Sequence, residues 1–155
     1  KVRSVLFVCT ANRFRSVMAE AFLLKMVVSS ESTDQWRISS AGTWAGHGLP
    51  PMPMAIRAMA QRGIDISNHE SVSVDDVKLA DYNLILVMEP GHKESMSWEF
   101  SEIADRIYLV SEMVGSTYGV EDPINGSYDD YVRTADNLLD MLNEGYARIE
   151  ELAGA

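Results

Sequence analysis

The stretch VLFVCTANRFRSVMAE, Val5 to Glu20, limits what this chain can fold into more than any other. An apolar run from Val5 to Val8 ends at Cys9, Arg15 and Ser16 follow after five intervening residues, and a helical pattern opens near Val17. This reads as strand, tight loop and helix N-terminus, with a cysteine and an arginine bracketing the loop. Such an arrangement suits an oxyanion, preferably phosphate. Successive backbone N–H groups of a tight loop converge on one anion. The helix start adds unpaired N–H groups and roughly half a positive charge. Arg15 adds a planar fork of donors that grips two anion oxygens. What favours a bound anion also favours a thiolate, so Cys9 is a candidate nucleophile beneath the phosphorus. The segment Thr10, Ala11, Asn12, Arg13, Phe14, Arg15 and Ser16 is the candidate phosphate-binding loop. A bland reading exists: a strand-end cysteine that is only a small buried hydrophobe. The spacing to Arg15 and Ser16 argues against it.

The rest of the chain alternates strands and helices. The expected strands are Val2 to Val8, Gln35 to Ser40, Tyr82 to Met88 and Arg106 to Val110. Expected helices cover Val17 to Val28, Met54 to Arg62 (Pro53 at its first turn, Gly63 as its stop) and Pro90 to Phe100. A further helix is expected within Ser71 to Ala80, capped by the pair Ser73 and Asp76. The last helix opens at Ser127-x-x-Asp130 and carries an apolar stripe through Tyr131, Ala135, Leu138, Leu142, Tyr146 and Ile149. This alternation predicts a single α/β domain over residues 1–155 built on a parallel sheet. Ligands in such folds sit beyond the carboxyl ends of the strands, where Cys9 lies.

Composition excludes several classes. With 46% hydrophobic and 23% charged residues the chain reads as globular, and its apolar runs are too short for a membrane span or a signal-peptide core. A net charge of −10 argues against nucleic-acid and anionic-membrane partners. It also makes the cations Arg13 and Arg15 more informative, because a phosphate site here must be local. One cysteine permits neither an internal disulfide nor a polythiolate metal site, and a lone reactive thiol suggests a reducing, cytoplasmic setting. Three scattered histidines do not form a metal site, so no metal or other cofactor is expected; His47 and His92 read as surface or loop residues.

A cysteine that displaces an alcohol from phosphate needs a proton donor for the leaving oxygen, worth ~10²–10⁴-fold in rate. Asp122, in VEDPINGS, is the candidate. Pro123 holds it extended, and Gly126 permits the turn into the last helix. Asp-Pro is also an ordinary turn initiator, and Glu121 is the rival carboxylate.

With these residues in view, the chain resembles the low-molecular-weight protein tyrosine phosphatases over nearly its whole length. The match runs through the N-terminal loop, Ser40 to Gly42, Gly63 to His69, the LILVM strand and Asp122-Pro123. The resemblance implies a flavodoxin-like, three-layer fold with a four-stranded parallel sheet flanked by helices. It implies hydrolysis through a phosphocysteine on Cys9, with Arg15 and loop amides holding the phosphoryl oxygens and Asp122 as acid and then base. Asn12, Ser16, Ser40 and His69 match the family's supporting hydrogen-bond network. The implied substrates are phosphotyrosine proteins or small aryl phosphates, with phosphate-like oxyanions as inhibitors.

The chain departs from the family at Phe14, where many members carry a second cysteine, so Cys9 has no disulfide protection against peroxide. Val17 replaces a frequent proline, and Arg13 replaces a small or apolar residue. Ile124 and Asn125 stand where aromatics follow the Asp-Pro. Trp44, Arg13, Ile124 and Asn125 are therefore the candidate substrate walls. Phosphoarginine or a small phosphorylated metabolite is an alternative substrate. Arsenate reduction would need further cysteines. A cysteine phosphocarrier, or a non-catalytic phosphate binder, would not need both Arg15 and Asp122.

Overall fold

A computed structural model describes residues 2–154. Four strands, β1 (Arg3–Cys9), β2 (Trp36–Gly42), β3 (Leu84–Val87) and β4 (Ile107–Leu109), form one parallel sheet in the order β2-β1-β3-β4. Four α-helices accompany them: α1 (Arg15–Ser29), α2 (Pro53–Ala60), α3 (Pro90–Glu99) and α4 (Tyr128–Ala153). The expected four-stranded α/β architecture is therefore the one found.

The sheet is buried on both faces, which is why its strands read as continuous apolar runs rather than alternating ones. Strand alternation still sorts the side chains. Val5, Phe7 and Cys9 of β1, with Leu84 and Leu86 of β3, join the core shared with α1, α2 and α4. Leu6 and Val8, with Ile85, Val87, Ile107 and Leu109, face the smaller core closed by Met96 of α3 and by Leu79 and Ile103. Each fully buried Leu, Ile or Phe contributes about 1.5–3 kcal/mol relative to exposure. Because Cys9 belongs to the first set, its sulfur emerges on the α1 side at the carboxyl end of the central strand.

Three local features differ from the sequence expectation or sharpen it. Helix α1 starts at Arg15, two residues before Val17, so Arg15 and Ser16 lie in its first turn. The expected helix within 71–80 is absent. Gly42 N donates to Val72 O at 2.9 Å and a parallel bridge joins Gly42 to Ser73, which draws 71–73 out alongside the end of β2. Ser73 then caps only a single 3₁₀ turn, Val74–Asp76, by accepting from Asp75 N at 3.1 Å. By contrast, Ser127 and Asp130 form the expected reciprocal cap of α4: Ser127 N donates to Asp130 Oδ2 at 2.9 Å.

Gly42, at the end of β2, is required by close approach. A Cβ there would collide with the carbonyl oxygen of Thr10 and lie 3.0 Å from Asn12 N. The glycine lets the loop after β1 fold down against β2.

Candidate active site

Between β1 and α1 the chain makes a compact loop from Thr10 to Phe14. Among the described residues, no backbone N–H from Thr10 to Phe14 donates to a protein acceptor. Helix α1 also opens without a side-chain cap, its N-cap being Phe14. Loop amides left in this state are the donors an oxyanion needs. Cys9, 3% exposed, sits below them.

Asn12 holds the loop in place. It is fully buried and adopts φ of 56°, in the left-handed region that asparagine tolerates better than most residues. Its Nδ2 donates to Ser16 Oγ at 2.8 Å and to Ser40 Oγ at 2.9 Å, while its Oδ1 accepts from Val72 N at 3.0 Å. His69 Nε2 lies 3.0 Å from Asn12 O and 3.2 Å from Asn12 Oδ1. Both are acceptors, so this ring nitrogen carries the proton. Burial is the main reason the His69 pKa is lowered, so the ring is held neutral. Ser40 in turn donates to Glu20 Oε1 at 2.6 Å, and burial raises the Glu20 pKa. Ser16 Oγ lies 3.0 Å from Cys9 Sγ. Since Ser16 already accepts from Asn12, its own hydrogen is free to point at the sulfur. The four residues expected to support the loop, Asn12, Ser16, Ser40 and His69, thus form one connected network.

Arg15 is 2% exposed and held by three acceptors. Its Nη1 donates to Glu89 Oε2 at 2.9 Å and to Val120 O at 2.7 Å, and its Nη2 lies 3.5 Å from Asp122 Oδ2. Asp122 therefore comes to the mouth of the loop, as the sequence suggests, and its Oδ1 accepts from Ile124 N at 3.2 Å.

A narrow cavity of about 70 Å³ lies above the sulfur, lined by Cys9, Ala11, Arg13, Phe14, Arg15, Met52, Asp122, Ile124 and Tyr131. A roomier cavity of about 670 Å³, lined by Phe22, Lys25 and Tyr146 among others, contains none of these groups.

The structure treats the four expected wall residues differently. Arg13 and Ile124 line the cavity. Arg13 Nε donates to Pro50 O at 2.7 Å, and Arg13 O accepts from Met52 N at 2.9 Å, so the rim is tied to the segment before α2. Asn125 lines instead a neighbouring groove that shares Asp122 and Ile124 with the cavity. Trp44 is 86% exposed and absent from the lining: its backbone N–H is spent on Thr10 O, at 2.9 Å, and its ring projects into solvent.

Several residues at the site do not stand out in the sequence. Tyr131 reads there only as part of the α4 stripe, yet it packs on Phe14 with ring centroids 4.6 Å apart and reaches Ile124 O with its hydroxyl. Burial, and secondarily the nearby Asp122 carboxylate, raise its pKa, so the hydroxyl stays neutral. Met52 also lines the cavity. Glu89 holds Arg15. His92, expected to be a surface or loop residue, is 7% exposed and bonded to Thr10. The Pro90 start of α3 places a helix N-terminus there, but only tertiary packing brings it against the loop.

Residues 4–152 match the family profile for low molecular weight phosphotyrosine protein phosphatase. The chain belongs to this family of phosphoric monoester hydrolases. It is 33% identical to a protein-arginine-phosphatase of Bacillus subtilis strain 168 over 90% of this chain and 92% of that one. It is 30% identical to the low molecular weight protein-tyrosine-phosphatase PtpB of Staphylococcus haemolyticus, over 90% of this chain and 95% of the other. The crystal structure of a low molecular weight protein tyrosine phosphatase from T. tengcongensis superposes with a TM-score of 0.88. It has 33% identity and covers 94% of this chain and 99% of that one. Among the described residues no group of three or more His, Cys, Asp or Glu is placed to hold a metal ion, and no helix is long and apolar enough to cross a membrane.

Proposed function

We propose that this chain hydrolyses phosphotyrosine in proteins, and small aryl phosphates, through a phosphocysteine on Cys9. The observation that carries the reading is the row of unpartnered amides, Thr10 to Phe14, around a buried sulfur that Arg15 and Asp122 both overlook. In this reading the substrate phosphoryl group lies in the loop, its oxygens taken by those amides and by Arg15. The Cys9 thiolate attacks phosphorus opposite the ester oxygen. As the P–O bond breaks, Asp122 gives its proton to that oxygen. Asp122 then takes a proton from water, whose oxygen attacks phosphorus and breaks the P–S bond, releasing inorganic phosphate and the thiolate. Charge build-up on phosphorus is met by preorganised donors that do not have to rotate into place. Phosphate-like oxyanions would occupy the same loop and inhibit.

The walls support an aromatic leaving group. Phe14, Met52, Ile124 and Tyr131 present apolar surface to the cavity above the sulfur, which suits a phenyl ring. Phosphoarginine is the second reading, favoured by the similarity to a protein-arginine-phosphatase. Against it stands Arg13, a cationic residue of the cavity lining, which would repel the guanidinium of a phosphoarginine.

The test compares p-nitrophenyl phosphate, a phosphotyrosine peptide and a phosphoarginine peptide, using wild type, Cys9→Ser and Asp122→Asn. Wild type should turn over the aryl esters with the higher kcat/KM. Asp122→Asn should lose about 10²–10⁴-fold in kcat. Cys9→Ser should be inactive; turnover at the wild-type rate by that variant would end the proposal. A higher kcat/KM on phosphoarginine would replace the substrate assignment while keeping the chemistry.

A further inference from the structure

Helix α3 begins under the phosphate-binding loop, and its third residue, His92, touches the loop directly. The imidazole is buried and bonded at both nitrogens. Glu89 N donates to Nδ1 at 3.2 Å, which fixes Nδ1 as the acceptor. The neutral ring's proton therefore sits on Nε2, which lies 2.8 Å from Thr10 Oγ1 and donates to it. Thr10 is the residue next to Cys9 and the first of the unpartnered amides. The other side of the loop is braced by Asn12. On this side, His92 makes the side-chain contact to the loop.

The surroundings keep the ring neutral. Burial and the Arg15 guanidinium from α1 lower its pKa, opposed more weakly by Glu89 of its own helix turn and by Asp122 from the loop before α4. A cation at a helix N-terminus would also oppose the helix dipole. A neutral histidine with a fixed tautomer is a rigid strut, whereas a protonated one would push an N–H at the N–H of Glu89.

We propose that His92 is a positioning residue for phosphate binding: its Nε2–H holds Thr10, and through it the first amide of the cradle, in register with Cys9. The inference rests on the phosphatase reading of the same site and deepens it. His92 touches no reacting atom. It acts through Thr10, and the same helix turn supplies Glu89 to Arg15, so α3 holds both the loop and the arginine that close on the anion.

Two substitutions divide the imidazole's roles. His92→Asn keeps an oxygen near the Nδ1 position, able to accept from Glu89 N and cap α3, but is too short to reach Thr10. His92→Gln places its amide N–H near the Nε2 position and can donate to Thr10, but gives up the cap. The readouts are thermal stability, the inhibition constant for inorganic phosphate, and kcat/KM on p-nitrophenyl phosphate. With His92 as a strut, His92→Asn keeps the cap of α3 and melts above His92→Gln, yet weakens phosphate and lowers kcat/KM about tenfold, the worth of one hydrogen bond. His92→Gln recovers both to within about twofold while melting lower. Thr10→Val should match His92→Asn, and the double variant should be no worse than either. If His92→Gln is as impaired as His92→Asn, if both bind phosphate like wild type, or if the Thr10 and His92 losses simply add, the proposal is wrong. Wild-type turnover tests the phosphatase reading itself, and the variant ratios test this one.

Discussion

Asn12 is where folding and the site meet, and its replacement gives a prediction with a definite order. Asn12→Gly removes the amide. Val72 N–H loses its acceptor, a loss of about 1–3 kcal/mol for a group withdrawn from water, and the two bonds to Ser16 and Ser40 go at about 0.5–1.5 kcal/mol each. The hydroxyls can re-pair with each other or with water and recover part of this, so about 2–5 kcal/mol is expected overall. Asn12→Ala loses the same bonds and adds backbone strain at φ of 56°, about 1–2 kcal/mol. Against that, glycine leaves the unfolded chain freer, which costs about 0.4–1 kcal/mol relative to alanine. The strain outweighs that entropy difference, so the glycine variant should be more stable than the alanine variant by roughly 0.5–1 kcal/mol.

The assay is urea unfolding of wild type and the two variants, followed by fluorescence, with kcat/KM on p-nitrophenyl phosphate measured in parallel. Both variants should lose at least about tenfold in kcat/KM, because Ser16 is no longer held against the sulfur. An alanine variant as stable as the glycine variant would refute the strain argument. A loss below about 1 kcal/mol in both would refute the claim that the amide network holds the loop.

Two further outcomes follow from neighbouring groups. Glu89→Ala should lower kcat/KM about tenfold, the low end for a charge-assisted hydrogen bond because Glu89 is itself partly exposed. With Glu89 gone, Arg15 is left to Val120 O and Asp122 and is drawn toward the acid; unchanged kinetics would show that Glu89 does not hold the arginine. Glu20→Gln should raise the melting temperature near pH 7, with the gain shrinking toward pH 4. The folded-state Glu20 pKa is raised above 4.5 by burial, so its contribution is full below that value and lost as pH rises through the folded pKa. His69 and His92 act oppositely: their lowered pKa values give stability present above 6.5 that falls away as the solution is acidified. A melting-temperature difference independent of pH would contradict the assignment for Glu20.

The parts of the site legible in the sequence are those whose meaning is local along the chain. Cys9, Arg15 and Ser16 are fixed relative to one another by one loop and one helix start, so their spacing carries their geometry. Asp122 is legible because a proline and a glycine constrain its loop. The strands show because burial on both faces leaves unbroken apolar runs, and α4 because its stripe has helical period. Ser73-x-x-Asp76 misleads because a capping pattern signals a turn's start but not its length. The backbone just before it is already committed, Ser71 to Gly48 and Leu49 and Val72 to Gly42 and Asn12. Trp44 misleads for a related reason: a loop's sequence gives a side chain's chemistry but not its direction.

Glu89, His92, Tyr131 and Met52 are not legible because each reaches the site only through the packing of the sheet and its helices. Strand β3 lies beside β1, so the chain leaving β3 enters α3 next to the loop that leaves β1. That adjacency sets Glu89 and His92 against Arg15 and Thr10 across 74 and 82 residues of chain. On the proposed reading it also lets phosphate bind in a protein of net charge −10. Carboxylates farther than about 8 Å from the loop are largely screened at physiological salt, while the amides, Arg15 and the neutral His92 act at contact distance. Glu89 and Asp122, the acids that do reach the loop, both face the buried guanidinium of Arg15. The near field is therefore set by tertiary neighbours, and the far field by composition.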